Sequence, residues 1–202
     1  MTDQRPADAY EQHAQELARR DATIVSPMAK YFAIAFKPAA RILDSVRGSM
    51  RSGWSPQLRF DKCSGTGASG SDPRGLAAQS RLPPEYDGVL CSAVLQHLPR
   101  SQLFDAVLDL RGVLRPGGRA LVAIPRGARP GLDQEGRDVV GRLFNGVTPA
   151  ELELLFERVG FSTLARWEDA DALGRPGVAW ATFLFEVGAV AGNARLTSSP
   201  RC

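Results

Sequence analysis

The chain has 202 residues and a formal net charge of +3, and 44% of it is hydrophobic. That length and composition fit one compact domain with a sizeable core and exclude wholesale disorder. So small a charge does not point to nucleic acid, and no run approaches the roughly 20 apolar residues of a membrane span. The N-terminus lacks a signal-peptide core. Three scattered cysteines, Cys63, Cys91 and Cys202, have neither a disulfide framework nor metal-ligand spacing. The expectation is a cytoplasmic protein with reduced thiols, no metal and no membrane partner. Its oligomeric state is not legible. Lys30, Lys37 and Lys62 are the only lysines, which reads as the codon bias of a GC-rich gene.

In chain order, a first helix starts at Pro6, a residue suited to the first helical position, with Ala7, Tyr10, Ala14 and Leu17 on one face. His13 on that helix has no partner that the sequence identifies. Met28 to Phe36 is a second apolar helical segment. It breaks at Lys37-Pro38, because the residue before proline is pushed out of the α region. Residues 1–37 thus read as a helical lead-in. From 45 to 81 the composition turns to Ser, Gly and Arg, as in Cys63-Ser64-Gly65-Thr66-Gly67, and its one strand-like piece is Leu58 to Asp61. This stretch predicts irregular structure with a short or missing strand. Two readings account for it: a flexible insertion, or translation in a shifted frame of a GC-rich gene, which we prefer.

Regular pattern returns at Tyr86-Asp87-Gly88-Val89-Leu90-Cys91-Ser92, whose apolar run reads as a buried parallel strand. Ser101 to Leu114 carries Leu103, Phe104, Val107, Leu108 and Leu110 at near-helical spacing. Pro116-Gly117-Gly118 is expected to end that helix, and Arg119 to Pro125 to begin the next strand. Strand, helix and strand in this order make a right-handed parallel crossover. Thr148-Pro149-Ala150-Glu151 is a capping box with proline in the first turn, ahead of Leu152, Leu155, Phe156 and Val159, and Gly160 suits the helix end. Phe161–Trp167 and Val178–Val187 read as two antiparallel strands joined by a polar turn over Glu168–Gly177. The tail over 188–202 reads as disordered.

The Tyr86–Leu98 and Arg115–Val122 segments resemble the second half of a class I S-adenosylmethionine-dependent methyltransferase. The usual text there is an aspartate-led strand, a His-Leu pair and then Leu-Arg-Pro-Gly-Gly. The resemblance spans roughly residues 7–187. It implies a three-layer Rossmann-like α/β fold, a mainly parallel sheet with an antiparallel last strand, formed as a single domain over 1–187. Arg41-Ile42-Leu43-Asp44 resembles the family's first strand. There the terminal aspartate introduces a glycine loop, whose missing side chains let the backbone approach the cofactor. Here Gly48 stands at one glycine position, while Val46 and Met50 stand at the other two. That departure predicts weak or lost S-adenosylmethionine binding.

By the same resemblance Asp44, Gly48, Asp61, Ser92, Ala93 and Val94 are the cofactor-binding candidates. Asp61 is the nearest match to the ribose-binding acid, though it also reads as an ordinary solvated aspartate. Asp87 reads as structural. His97 is the one tempting general base, because its unperturbed pKa lies near neutrality; the bland reading is a hydrogen-bonded histidine in the loop. Two functional readings follow. One is methyl transfer to a small-molecule acceptor. The other is a methyltransferase-like protein without catalysis, either a binding or scaffold protein or a damaged gene product. A dinucleotide oxidoreductase is disfavoured, since no G-x-G-x-x-G loop follows the first strand.

Overall fold

Phe161–Ala170 and Ala179–Val187 pair antiparallel over their full length, and the second of them pairs antiparallel with Leu114–Arg126 on its other side. Around that nucleus the computed structural model describes residues 27–45, 59–62, 85–127 and 131–188. The strands are β1 (Arg41–Asp44), β2 (Arg59–Lys62), β3 (Tyr86–Ser92), β4 (Leu114–Arg126), β5 (Phe161–Ala170) and β6 (Ala179–Val187). The helices are α1 (Phe32–Ala35), α2 (Leu103–Gly112) and α3 (Pro149–Arg158). A short 3-10 turn, Pro27–Tyr31, leads into α1.

Among the described residues the six strands form one sheet in the order β2-β1-β3-β4-β6-β5. β2, β1, β3 and β4 are parallel, and β6 runs against both of its neighbours. Layers cover both faces. On one, Leu103, Val107 and Leu110 of α2 and Leu152 and Phe156 of α3 bury Val89, Val122, Ile124, Phe183 and Phe185. On the other, Met28, Tyr31, Phe32 and Phe36 bury Ile42, Leu90, Leu121 and Leu184. Successive residues of a strand point to opposite faces, so a central strand needs apolar residues at every position. This explains why Ala181 through Phe185 are all buried.

The N-terminal ends of the strands are tied by Asp87. It accepts the Arg41 amide at 2.8 Å and Arg115 Nη1 at 2.9 Å, in line with its structural reading. Gly88, in the interior of β3, leaves room for a ring. A Cβ there would lie 2.3 Å from Phe36 Cε1 and 2.7 Å from Ile42 Cδ1. α3 begins as its sequence predicts: Thr148 accepts the Glu151 amide, and Glu151 accepts the Thr148 amide in return.

Several expectations are corrected. Pro116-Gly117-Gly118 does not end α2, which stops at Gly112. The turn lies inside β4, because Leu114 already pairs with Tyr86 before the chain bulges and re-pairs at Arg119 with Gly88. Gly117 at φ 72° supports that excursion. β5 continues to Ala170, three residues beyond its predicted end, because Glu168, Asp169 and Ala170 all find partners in β6. The strand-like piece around Leu58–Asp61 is observed as β2, four residues long and parallel to β1. The predicted helix from Pro6, most of the irregular 45–81 stretch and the tail beyond Gly188 lie outside the described residues.

Candidate functional site

In an open parallel sheet the ligand crevice forms beyond the carboxyl ends of the strands, where successive connections diverge to opposite sides. Here the divergence falls between β1 and β3. β1 has β2 on one side and β3 on the other, so the C-terminal ends of β1 and β3 flank the crevice. β1 delivers Asp44, only 4% exposed, in register with Leu90. Ser45 fastens the strand end: its amide and its Oγ both donate to Leu90 O, at 3.0 and 2.8 Å.

β3 delivers Ser92, and the chain then turns sharply. Ala93 adopts φ 57°, a left-handed conformation unusual for alanine, while its amide donates to Ala123 O at 3.1 Å. Such strain costs about 1 kcal/mol and clusters at functional sites. The turn aims the backbone of Ala93 and Val94 away from the sheet edge and into a 3-10 turn, Leu95–His97. Asp44, Ser92, Ala93 and Val94 are thus brought to one edge at adjacent strands. Asp61 pairs in register with Leu43, one residue short of the end of β2, and Lys62 takes the terminal position beside Asp44. Gly48 lies outside the described residues.

His97 is buried, and the protein engages both its ring nitrogens. Nδ1 lies 2.6 Å from Leu143 O, and Nε2 lies 3.2 Å from Gln96 Nε2. The carbonyl can only accept, so Nδ1 carries the proton and Nε2 accepts from the Gln96 amide. The ring also meets Phe144 edge-on at 4.6 Å. This geometry staples the loop after β4 to the turn after β3. Asn145 adds to the staple, donating from Nδ2 to Leu95 O and Leu98 O at 2.7 and 2.8 Å.

That loop carries a feature the sequence reading missed. The text Asp-x-x-Gly-Arg occurs at Asp133–Arg137, at Asp138–Arg142 and, between β5 and β6, at Asp171–Arg175. Each copy folds alike, with the glycine amide donating to the aspartate carbonyl and the arginine amide to the aspartate side chain. The glycines sit at φ 77°, 85° and 64°. Aspartate bonds backbone amides just ahead of it, and glycine tolerates positive φ, so the five residues close without help from the core. The repeated text was a visible signal. All three turns stand at the edge where β4 and β5 end.

The same edge holds an aromatic group. Tyr31 stacks on Trp167 with ring centroids 4.2 Å apart, and its hydroxyl donates to Asp169 at 3.0 Å. Burial pushes the Tyr31 phenol up, and its bond to Asp169 adds to that. Lys30 pairs with the same carboxylate. Trp180 Nε1 donates to Asp171 at 2.9 Å. Arg175, with Trp180 assisting, holds the Asp171 carboxyl far below the usual carboxylate range. Arg126, at the end of β4, pairs with Glu168.

Known structures share this architecture. 1,6-Didemethyltoxoflavin-N1-methyltransferase of Burkholderia thailandensis aligns with a TM-score of 0.59 at 16% identity, over 87% of this chain and 83% of that one. The chain has the fold of class I S-adenosylmethionine-dependent methyltransferases. A putative sarcosine dimethylglycine methyltransferase from Galdieria sulphuraria aligns at 0.51 and 15% identity, over 90% of this chain and 86% of that one. The cyclase SpnF aligns at 0.56 and 12% identity, over 91% and 96%. No family model matches the sequence, and no curated protein matches it. Among the described residues of this methyltransferase fold no helix is long and apolar enough to cross a membrane, and no group of three or more His, Cys, Asp or Glu side chains could hold a metal ion.

Proposed function

We propose that the protein is an S-adenosylmethionine-dependent methyltransferase acting on a small-molecule acceptor in the cytoplasm, with residues 1–187 as its single domain. The observation that carries the reading is the switch point between β1 and β3 of a methyltransferase fold, with buried Asp44 ending β1 and the left-handed Ala93 just beyond the end of β3. In this reading Asp44, Ser92, Ala93 and Val94 hold the cofactor together with Gly48, four residues beyond Asp44 in the sequence; Asp61 is a weaker candidate. The cofactor supplies a methyl group on a sulfonium centre. Its transfer is an in-line displacement, so the protein works by positioning and by excluding water. No nucleophile on the chain is needed. His97 serves in this reading as the loop staple rather than as a base, because both ring nitrogens already have protein partners. The small acceptor rests on likeness alone: the Burkholderia thailandensis structure is described with bound 1,6-didemethyltoxoflavin and S-adenosylhomocysteine.

A second reading is a methyltransferase-like protein that binds or scaffolds without methyl transfer. Val46 and Met50, at two glycine positions of the resemblance, favour it. So does the fact that a cyclase shares the fold. Calorimetric titration with S-adenosylhomocysteine tests the cofactor site on which the first reading depends. The unaltered chain is expected to bind weakly, with a Kd towards about 1 mM (roughly −4 kcal/mol), and Val46→Gly with Met50→Gly to tighten it. Absence of binding in both chains would leave the second reading in possession.

A further inference from the structure

We propose that the opposite edge of the sheet holds a second site, one that takes a small phosphorylated compound. It lies at the N-terminal ends of the strands, about 20 Å from the crevice by the length of β3, and it does not depend on the methyltransferase reading. The linker between α1 and β1, the start of β3, the bulge in β4 and the end of β6 line a half-open cavity of about 360 Å3. That volume falls in the range of small-molecule pockets.

Pro38, Ala39 and Pro116 supply exposed apolar surface, and the charged lining is Lys37, Asp87, Arg115, Arg119 and Glu186. Both acids are matched. Arg115 Nη1 donates to Asp87 at 2.9 Å, and Arg119 Nε donates to Glu186 Oε2 at 2.9 Å. Arg119 is further fixed by donating from Nη1 to Ala35 O at 3.2 Å. Lys37 is exposed and makes no ion pair among the described residues, so the lining carries one net positive charge. Arg115 gives one of its five N–H donors to Asp87, and its side chain is 52% exposed.

The β4 bulge is the second observation. Arg115 to Gly118 have no cross-strand partner on either side, whereas Leu114 and Arg119 do. A Cβ on Gly117 would meet nothing within 4 Å, so the rim there is open. A guanidinium fork with donors to spare and a solvated ammonium on one cavity wall are the two cationic groups that bind phosphate oxygens, the first as a fork and the second as a point charge. The cavity also leaves room beside the anion for an organic body against Pro38, Ala39 and Pro116. A phosphate monoester therefore fits better than free phosphate.

The test is calorimetric titration of the full chain at low ionic strength with inorganic phosphate and with glycerol 3-phosphate, repeated on Lys37→Glu and Arg115→Ala. Lys37→Glu changes an exposed side chain without a partner, so an unchanged melting temperature verifies that the fold is intact. Saturable binding is expected, tighter for the ester, with at least about a tenfold loss in each variant. S-adenosylhomocysteine should not compete. Three results would overturn the proposal: no saturable binding, equal affinity in Lys37→Glu, or no preference for the ester. A failure of S-adenosylhomocysteine to bind bears on the crevice alone.

Discussion

The two sides of the sheet are built on different scales. β4, β6 and β5 run for 13, 9 and 10 residues and are joined by antiparallel ladders, while β1 and β2 have four residues each and pair in parallel. The long side also holds the stacked rings of Phe156, Phe183 and Phe185, with centroid spacings of 4.1 and 5.4 Å. The short side holds the switch point and its crevice. Antiparallel ribbons close through local turns, whereas parallel strands return only through long connections. β5 and β6 close through a local turn, while the crevice lies where long connections join β1, β2 and β3, so the long side is expected to be the more stable. The core that anchors the site need not contain it.

The strongest test of that division is Phe156→Ala. The ring is fully buried between Phe161 and Phe185, and its loss opens a cavity in the long side. A destabilisation of about 3–5 kcal/mol is expected from chemical unfolding. A loss below about 1 kcal/mol would mean that this side is not the anchor.

Gly88→Ala probes the junction between the sides. Its Cβ would press on Phe36 and Ile42, both of them buried. Overpacking of this kind costs about 2 kcal/mol. Gly112→Ala is the control, because a Cβ there meets nothing within 4 Å and alanine favours helix. Equal melting temperatures for the two variants would show that Phe36 gives way freely and that the junction is loosely packed.

Legibility in the sequence follows the same division. β3, α3 and its cap could be read because their signals are local: an apolar run, a Thr-Pro-x-Glu start and a Gly160 stop. β5 was underestimated because Glu168 to Ala170 look like turn residues until β6 is known to lie beside them. Pro116-Gly117-Gly118 is ambiguous in the sequence, because a helix end and a strand bulge need the same residue types. At the crevice, Asp44 and Ser92 to Val94 are legible only through the resemblance, and the strand order brings them to one edge. The partners of His97 could not be read, since Leu143 lies 46 residues away. The Asp-x-x-Gly-Arg turns are legible in the sequence as a repeated text, of which the polar turn over Glu168–Gly177 covers one copy.

Asp171→Asn asks whether the rim of the long side is held by charge or by shape. Asp171 accepts Arg175 Nη2 at 2.6 Å and Trp180 Nε1 at 2.9 Å, and its own side chain is 3% exposed. Asparagine keeps an oxygen for Trp180 but loses the ionic bond to Arg175, whose side chain is 39% exposed. Solvent weakens that pair, so a loss of about 1 kcal/mol is expected at neutral pH. The sign of the pH dependence follows from the lowered carboxyl. The unfolded chain takes up the proton near the ordinary aspartate pKa of about 4, whereas the folded chain resists until the pH is far lower. The Asp171 contribution is therefore complete above about pH 4 and fades as the solution is acidified through the folded value. Thermal melts of both chains at a series of pH values should show a gap at pH 7 that closes on acidification. A gap of constant size down to about pH 2 would mean that turn geometry, and not the Arg175 charge, holds this rim.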